Sequence, residues 1–217
     1  MFSFLNRDAL PLRPPDALGG RSSVATENSL ARTAGSVRFQ NTEIEHLGVG
    51  ETTDAFINDL RELLAQAFGG RFSEDDWDHA LGGTHIAVRD SGILVSHAAV
   101  VPRLLYVGDV VYSCGYVEAV ATLPKMQRRG FASLAMGEVN KLIESKYAIG
   151  ALSSSTKDYY RKFGWEDWRG PSYIRTPDEW IRSESEDNGI MILNIEPHSD
   201  LDLYARIACD VRLGDSW

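Results

Sequence analysis

Residues 123–136 read LPKMQRRGFASLAM, and no other stretch of the chain limits the fold as much. A β-rich run, VVYSCGYVEAVAT at 110–122, leads into it, and a helical pattern follows from about Arg129 to Ser145. A strand that enters a basic, glycine-containing turn and then a helix builds an anion site from backbone N–H groups and the positive helix end. Gln127, Arg128, Arg129, Gly130, Phe131 and Ala132 have the form Q-x-x-G-x-A. Gly130 lets the backbone come close to a ligand, and Ala132 keeps the first helical turn free of bulk. The two arginines offer charge-assisted contacts to a phosphate. The stretch is not a P-loop, because G-x-x-x-x-G-K-[ST] is absent, nor a dinucleotide fingerprint, which sets G-x-G-x-x-G after the first strand. Taken alone, these six residues are equally a basic surface turn with an incidental glycine.

This basic cluster stands in an acidic chain. The formal net charge of −9 argues against a nucleic-acid partner and suits a cationic ligand, although solubility alone also accounts for it. At 217 residues and 43% apolar composition, the chain is long enough for one domain with a substantial core. Residues 1–36 carry PLRPPDALGGRSS, rich in proline and glycine, and read as a flexible tail ahead of a folded domain over 37–217. No apolar stretch approaches the ~20 residues of a membrane span. The start makes a poor signal peptide, since it lacks a basic first segment and Asn6, Arg7 and Asp8 break its apolar run. Cys114 and Cys209 sit among apolar neighbours, as buried thiols rather than a disulfide framework, so a cytoplasmic setting is expected. The histidines show no metal-ligand spacing, and no metal is expected; His97, inside an apolar strand, reads as a satisfied core residue.

From Val37 the pattern is regular. SVRFQNTEI alternates as a first strand, and TTDAFINDLRELLAQAF sets Phe56, Leu60, Leu63, Leu64 and Phe68 at helical spacing before Gly69-Gly70. Ser73 opens a second short helix, SEDDWDHAL, whose early acids suit the helix dipole. THIAVRD, a DSG turn and ILVSHAAVVPRLLYV predict a hairpin. After the run at 110–122 and the following helix come a short buried strand in YAIGALSS and a helix, TKDYYRKF, stopped by Gly164. WEDWRGPSYI, GIMILNI and LYARIACDVRLGDSW supply further strands.

Several segments resemble one family. Q-x-x-G-x-A at the head of a helix after a fourth strand is similar to the acetyl-CoA pyrophosphate loop of the GNAT N-acetyltransferases. AFGGRFSEDDWDHALGG at 67–83, GYVEAVAT at 115–122, GALSSS at 150–155, YYRKFGW at 159–165 and CDVRLGDSW at 209–217 resemble the aminoglycoside 2′-N-acetyltransferases. The resemblance covers roughly residues 38 to 217. It implies an α/β (α+β) GNAT fold, a central mixed but mostly antiparallel sheet flanked by helices. It also implies an acyltransferase that uses acetyl-CoA to cap the 2′-amino group of an aminoglycoside, conferring antibiotic resistance by direct transfer in a ternary complex. Dimers through the late strands and C-terminal region are common among similar proteins, and the resemblance leaves the oligomeric state open between monomer and homodimer.

Residue roles follow from the same resemblance. Val120, Ala121 and Thr122 align acetyl-CoA through backbone hydrogen bonds, and residues Gln127 to Ala132 hold its pyrophosphate. Glu118 is the base, acting through water. Residues two apart on a strand share a face, so Glu118 looks toward the reaction if Val120 does. Tyr160 is the acid for the leaving thiolate, since a phenol with an ordinary pKa of about 10 is a suitable donor. Tyr159 lies roughly 100° round the same helix and points elsewhere. Ser153, Asp76, Asp187, Asp215 and Trp217 fall on substrate-binding positions. Arg71 departs from the family, which has an acid in the segment AFxGxF. An arginine repels an ammonium group and welcomes a carboxylate. That puts kasugamycin, which carries a carboxylate on its amidine group and a 2′ amine, level with gentamicin- and tobramycin-type substrates. Plainer readings stand beside these: a rim carboxylate at Glu118, core tyrosines, a solvent-facing Arg71. Two rival functions also stand, a GNAT enzyme for another amine such as a cell-wall amino sugar, and a non-catalytic GNAT-like module that sequesters an amino sugar.

Overall fold

The structure, a computed structural model, describes residues 41–195 and 201–217. The expected tail and the first residues of the expected opening strand, 37–40, lie outside the described residues. Strand β1 (Thr42–Leu47) precedes helices α1 (Asp54–Phe68) and α2 (Glu74–Leu81). Thr53 caps α1 by accepting the Phe56 N–H, and Gly69 ends it in the left-handed conformation. The five apolar residues read from the sequence form the buried stripe of α1. Ser73 and Asp76 close the start of α2 as a reciprocal capping box.

The hairpin β2 (Thr84–Asp90) and β3 (Ile93–Val107) follows, then β4 (Val110–Thr122) and a 3₁₀ turn at Pro124–Met126. Helix α3 (Phe131–Lys146) starts two residues later than its pattern predicts, because the chain turns left-handed at Arg128 and again at Gly130. Next come β5 (Ile149–Ser153) and α4 (Lys157–Arg161), then the short strands β6 (Glu166–Asp167), β7 (Ser172–Arg175) and β8 (Trp180–Arg182). The last strands are β9 (Ile190–Asn194) and β10 (Ile207–Asp210). Strand β8 has no counterpart in the sequence reading. Three residues are too few to show alternation, and pairing with β7 extends them.

The strands join in one ten-stranded sheet, ordered β6-β9-β5-β4-β3-β10-β7-β8, with β1 and β2 branching from β3. Strand β3 is long enough to take β2 along its first half and β10 along its end, both antiparallel. Only β4–β5 and β10–β7 are parallel, so the sheet is mixed and mostly antiparallel, as expected. Neighbouring residues divide between two cores. Val117 and Leu152 join α1 and α3 in one, while Tyr116 and Ala151 join Trp168, Ile192 and Trp217 in the other. Cys114 and Cys209 are buried free thiols, and burial pushes Cys209 up to about 11, which makes it a poor nucleophile. Among the described residues no helix is long and apolar enough to cross a membrane.

Helix α3 lies directly on β4 at Gly115. A Cβ there would stand 2.8 Å from Ile143 Cγ1 and 2.9 Å from a ring carbon of Tyr147. Gly115→Ala is expected to push α3 away from β4 and cost about 1–3 kcal/mol, the usual range for overpacking. Denaturant unfolding against the parent checks this; an unchanged midpoint would mean that α3 yields freely.

Candidate active site

Strands β4 and β5 pair only from Cys114 opposite Ile149 to Tyr116 opposite Ala151. Beyond Tyr116, β4 continues to Thr122 with no β5 partner, and the two strands open a gap. A bulge lies in the free part of β4. His97 pairs with Ala121 and Ala99 with Glu118, so Ala119 and Val120 together oppose Ala98. Ala119 adopts φ 51°, a left-handed conformation uncommon for a residue with a Cβ. Its carbonyl lies 2.9 Å from Nδ1 of the fully buried His97, and His97 Nε2 lies 2.9 Å from Nδ1 of His85, also fully buried. Burial pushes His85 down to about 4, and burial reinforced by His85 pushes His97 down to about 3, so both rings are neutral.

Two clefts flank this strand end. The larger, of about 290 Å³, is lined by Val120, Ala121, Thr122, Gln127, Arg128, Gly130, Phe131 and Ala132, together with Met126, Ser133, Tyr159, Tyr160 and Lys162. Among the described residues no side chain caps the N-terminus of α3, and the left-handed turns at Arg128 and Gly130 curl the loop ahead of it in the manner of backbone anion nests. Arg128 and Lys162 add positive charge at the rim. These residues fit a pyrophosphate-bearing cofactor. Arg129 does not line the cleft; its guanidinium lies 5.5 Å over the Phe131 ring and contacts Met126 Sδ.

The smaller cleft, of about 50 Å³, is lined by Glu118, Ala119, Val120, Ser153, Tyr160, Asp76, Asp215 and Trp217, with Phe72, Tyr116, Val117, Leu152 and Arg212. Three carboxylates therefore converge on it. Glu118 Oε1 accepts from Arg212 Nη1 at 2.7 Å. One Asp76 oxygen accepts the Ser73 N–H in the α2 cap, and Asp215 Oδ1 accepts the Trp217 N–H. Trp217 is buried, and its indole N–H donates to Ser183 Oγ at 3.2 Å. Behind that contact Ser183 Oγ donates to Ser172 Oγ, which donates to Asp187. Val120 and Tyr160 line both clefts, so the two spaces meet there.

Asp187 and Arg71 do not line either cleft. Asp187 is held by the Arg182 guanidinium and by the Ser172 N–H and hydroxyl, which bring its carboxyl down to about 2. Arg71 is exposed on the turn ahead of Phe72. Conversely, Arg212 and Tyr116 belong to the smaller cleft and were not singled out from the sequence. Both lie inside segments that carried the family resemblance, and an arginine in an otherwise acidic site is a signal in itself. Glu186, buried and 3.4 Å from Ser153 Oγ, was passed over for its neighbour Asp187.

The acetyltransferase (GNAT) domain profile matches residues 49–167. An aminoglycoside 2′-N-acetyltransferase of Mycolicibacterium fortuitum is 39% identical over 161 residues, 72% of this chain and 83% of that protein. The chain belongs to the GNAT acetyltransferases, in the aminoglycoside 2′-N-acetyltransferase family. The fold agrees. The GNAT protein YhbS of Escherichia coli, solved in complex with CoA, superposes with a TM-score of 0.56 at 15% identity, over 80% of this chain and 94% of that one. ElaA of Escherichia coli gives 0.51 at 15% identity, over 70% and 98%.

The neutral histidine pair gives this acetyltransferase an acid limit. In the unfolded chain both rings take up protons near their ordinary pKa of about 6.5, whereas the folded pair resists until about 4 and about 3. Stability is expected to be level above pH ~6.5 and to fall from there toward the folded values. Unfolding midpoints from pH 8 to 4 check this, and His85→Leu is expected to flatten the decline.

Proposed function

We propose that the enzyme transfers the acetyl group of acetyl-CoA to the 2′-amino group of an aminoglycoside, and thereby confers resistance. The observation that carries this reading is the meeting of the two clefts across Val120 and Tyr160, one rich in anion donors and one in carboxylates. Acetyl-CoA, when bound, supplies the thioester carbonyl that the amine attacks. The loop from Gln127 to Ala132, with Lys162, holds its pyrophosphate, and the backbone of Val120, Ala121 and Thr122 aligns the arm that carries the thioester. Glu118 accepts a proton from the substrate ammonium through water, leaving the amine nucleophilic. Tyr160 stands where the clefts meet and returns a proton to the departing sulfur. Asp76, Asp215 and Ser153 receive the remaining polar groups of the amino sugar, and Trp217 closes the far side.

The ion pair of Glu118 with Arg212 bears on the substrate. An incoming ammonium takes the place of the guanidinium beside Glu118, and the displaced Arg212 then offers an anion partner within the same cleft. That favours an acceptor that carries a carboxylate near its amine, as kasugamycin does, alongside the polycationic gentamicin and tobramycin type. Arg71 at the surface adds to the same preference.

Release of CoA, followed by thiol detection with kasugamycin, gentamicin, tobramycin and the 2′-hydroxyl control kanamycin A, tests the reading. Turnover of 2′-amino compounds and none of kanamycin A is expected; silence across the panel would sink the acceptor assignment. Tyr160→Phe is expected to lower kcat about 10²- to 10⁴-fold, the range for a lost general acid. Its acetyl-CoA affinity should stay near the parent's, and a kcat that stays level would remove Tyr160 from the chemistry. Arg71→Asp should shift preference from kasugamycin toward the polycations, and an unaltered profile would make Arg71 a surface residue.

A further inference from the structure

Tyr116 to Val120 of β4 line the acceptor cleft, and the bulge at Ala119 and Val120 forms the end of that wall, where Val120 also lines the larger cleft. Something has to hold the bulge, because Ala119 is left-handed and its carbonyl is turned out of the β3–β4 ladder. Two consecutive residues of β3 do so. Ser96 Oγ donates to the Ala121 carbonyl at 2.8 Å, beyond the bulge, and His97 Nδ1 meets the Ala119 carbonyl at 2.9 Å, at its centre.

The hydrogen-bond chain runs in one direction only. A carbonyl accepts and cannot donate, so His97 Nδ1 carries the proton. The neutral ring then has its lone pair on Nε2, which requires a donor, and His85 Nδ1 stands 2.9 Å away to supply one. His85 in turn has its lone pair on Nε2, which is buried with no hydrogen-bond partner among the described residues. The opposite tautomers would set a lone pair of His97 against the Ala119 carbonyl. The Phe56 ring packs 5.4 Å from His85 and 6.5 Å from His97 and gives neither a polar alternative.

We propose that His97 is a positioning residue for acyl transfer: it holds the Ala119 bulge that sets Glu118 and Val120 against the reacting groups, and His85 fixes the His97 tautomer. This rests on the acetyl-transfer reading for what the bulge serves. It touches neither substrate. Its contribution should therefore appear chiefly in kcat, with a smaller change in acetyl-CoA affinity, because the loop at 127–132 is untouched while the strand that aligns the acyl arm loosens.

The variants separate donor geometry from bulk. Asn puts its amide nitrogen near the place of Nδ1 and keeps the donor; Gln carries its amide one carbon farther out, toward the place of Nε2; Leu has no donor. Both His97→Gln and His97→Leu are expected to lose about 100-fold in kcat, the scale of a misplacement of about 1 Å, while His97→Asn stays within about threefold of the parent. The Kd for acetyl-CoA changes far less than kcat throughout. His85→Leu falls between, since its loss leaves His97 free to take either tautomer. Hydrogen exchange at the amides of residues 118–121, which needs no acceptor, is expected to quicken in the Gln and Leu variants and to be restored in Asn. Equal activity in Asn and Gln, or unchanged exchange in Leu, overturns the proposal, and an unaffected His85→Leu overturns the part given to His85. A parent protein that acetylates no amine on the panel counts against the acceptor reading, and the exchange measurement still decides whether His97 holds the bulge.

Discussion

Three residue pairs join β4 to β5, and both clefts exist because that pairing stops after Tyr116. The stop has physical causes on either side. Gly115 lets α3 lie close against β4 just where the strands are still joined, which anchors the paired part. Beyond it, the bulge at Ala119 bends β4 and increases its twist, as bulges do, while β5 ends at Ser153 and turns into α4. The edge of β4 left without a β5 partner keeps free backbone groups, the cost of any open edge in a sheet. Here those groups line a site.

The wall of the smaller cleft comes from parts of the chain far apart in sequence. The segment after β10 reaches it through several anchors. His79 on α2 donates to the Leu213 carbonyl at 2.8 Å, and Arg103 on β3 donates to the Ser216 carbonyl at 2.6 Å while lying 4.6 Å over the Tyr116 ring. Arg212 closes on Glu118, and the indole of Trp217 heads a directed series of hydroxyls ending on Asp187. Arg212 takes a carboxylate of the cleft, and the other anchors hold a backbone group or a ring. The segment is thereby fixed while Asp215 remains on the cleft wall.

Much of the fold was legible because its signals are local. Phe56 to Phe68 announce a helix by spacing alone, Ser73 and the acids after it announce its successor, and the DSG turn announces a hairpin. The loop after β4 is local in the same way: of the six consecutive residues Gln127 to Ala132, all but Arg129 line the larger cleft. What the sequence could not convey were pairings. Nothing in VEAVAT says that Ala119 is left-handed, because the bulge is fixed by His97 and Ser96 on another strand. His97 read as a satisfied core residue, which it is, but the group that satisfies it could not be named. Asp187 and Glu186 are adjacent acids, and only the positions of Arg182 and Ser153 decide which of them lies beside the site. Arg212 was hidden for the same reason: its partner stands 94 residues away.

Val120 and Tyr160 are the two residues common to both clefts, so they form a ridge that belongs to each. A change in the bulk of either side chain alters both walls at once. Every other lining residue answers to one cleft alone, and its side chain can change without touching the other. These two positions are therefore the most constrained of the site, because each must suit two neighbours of different chemistry.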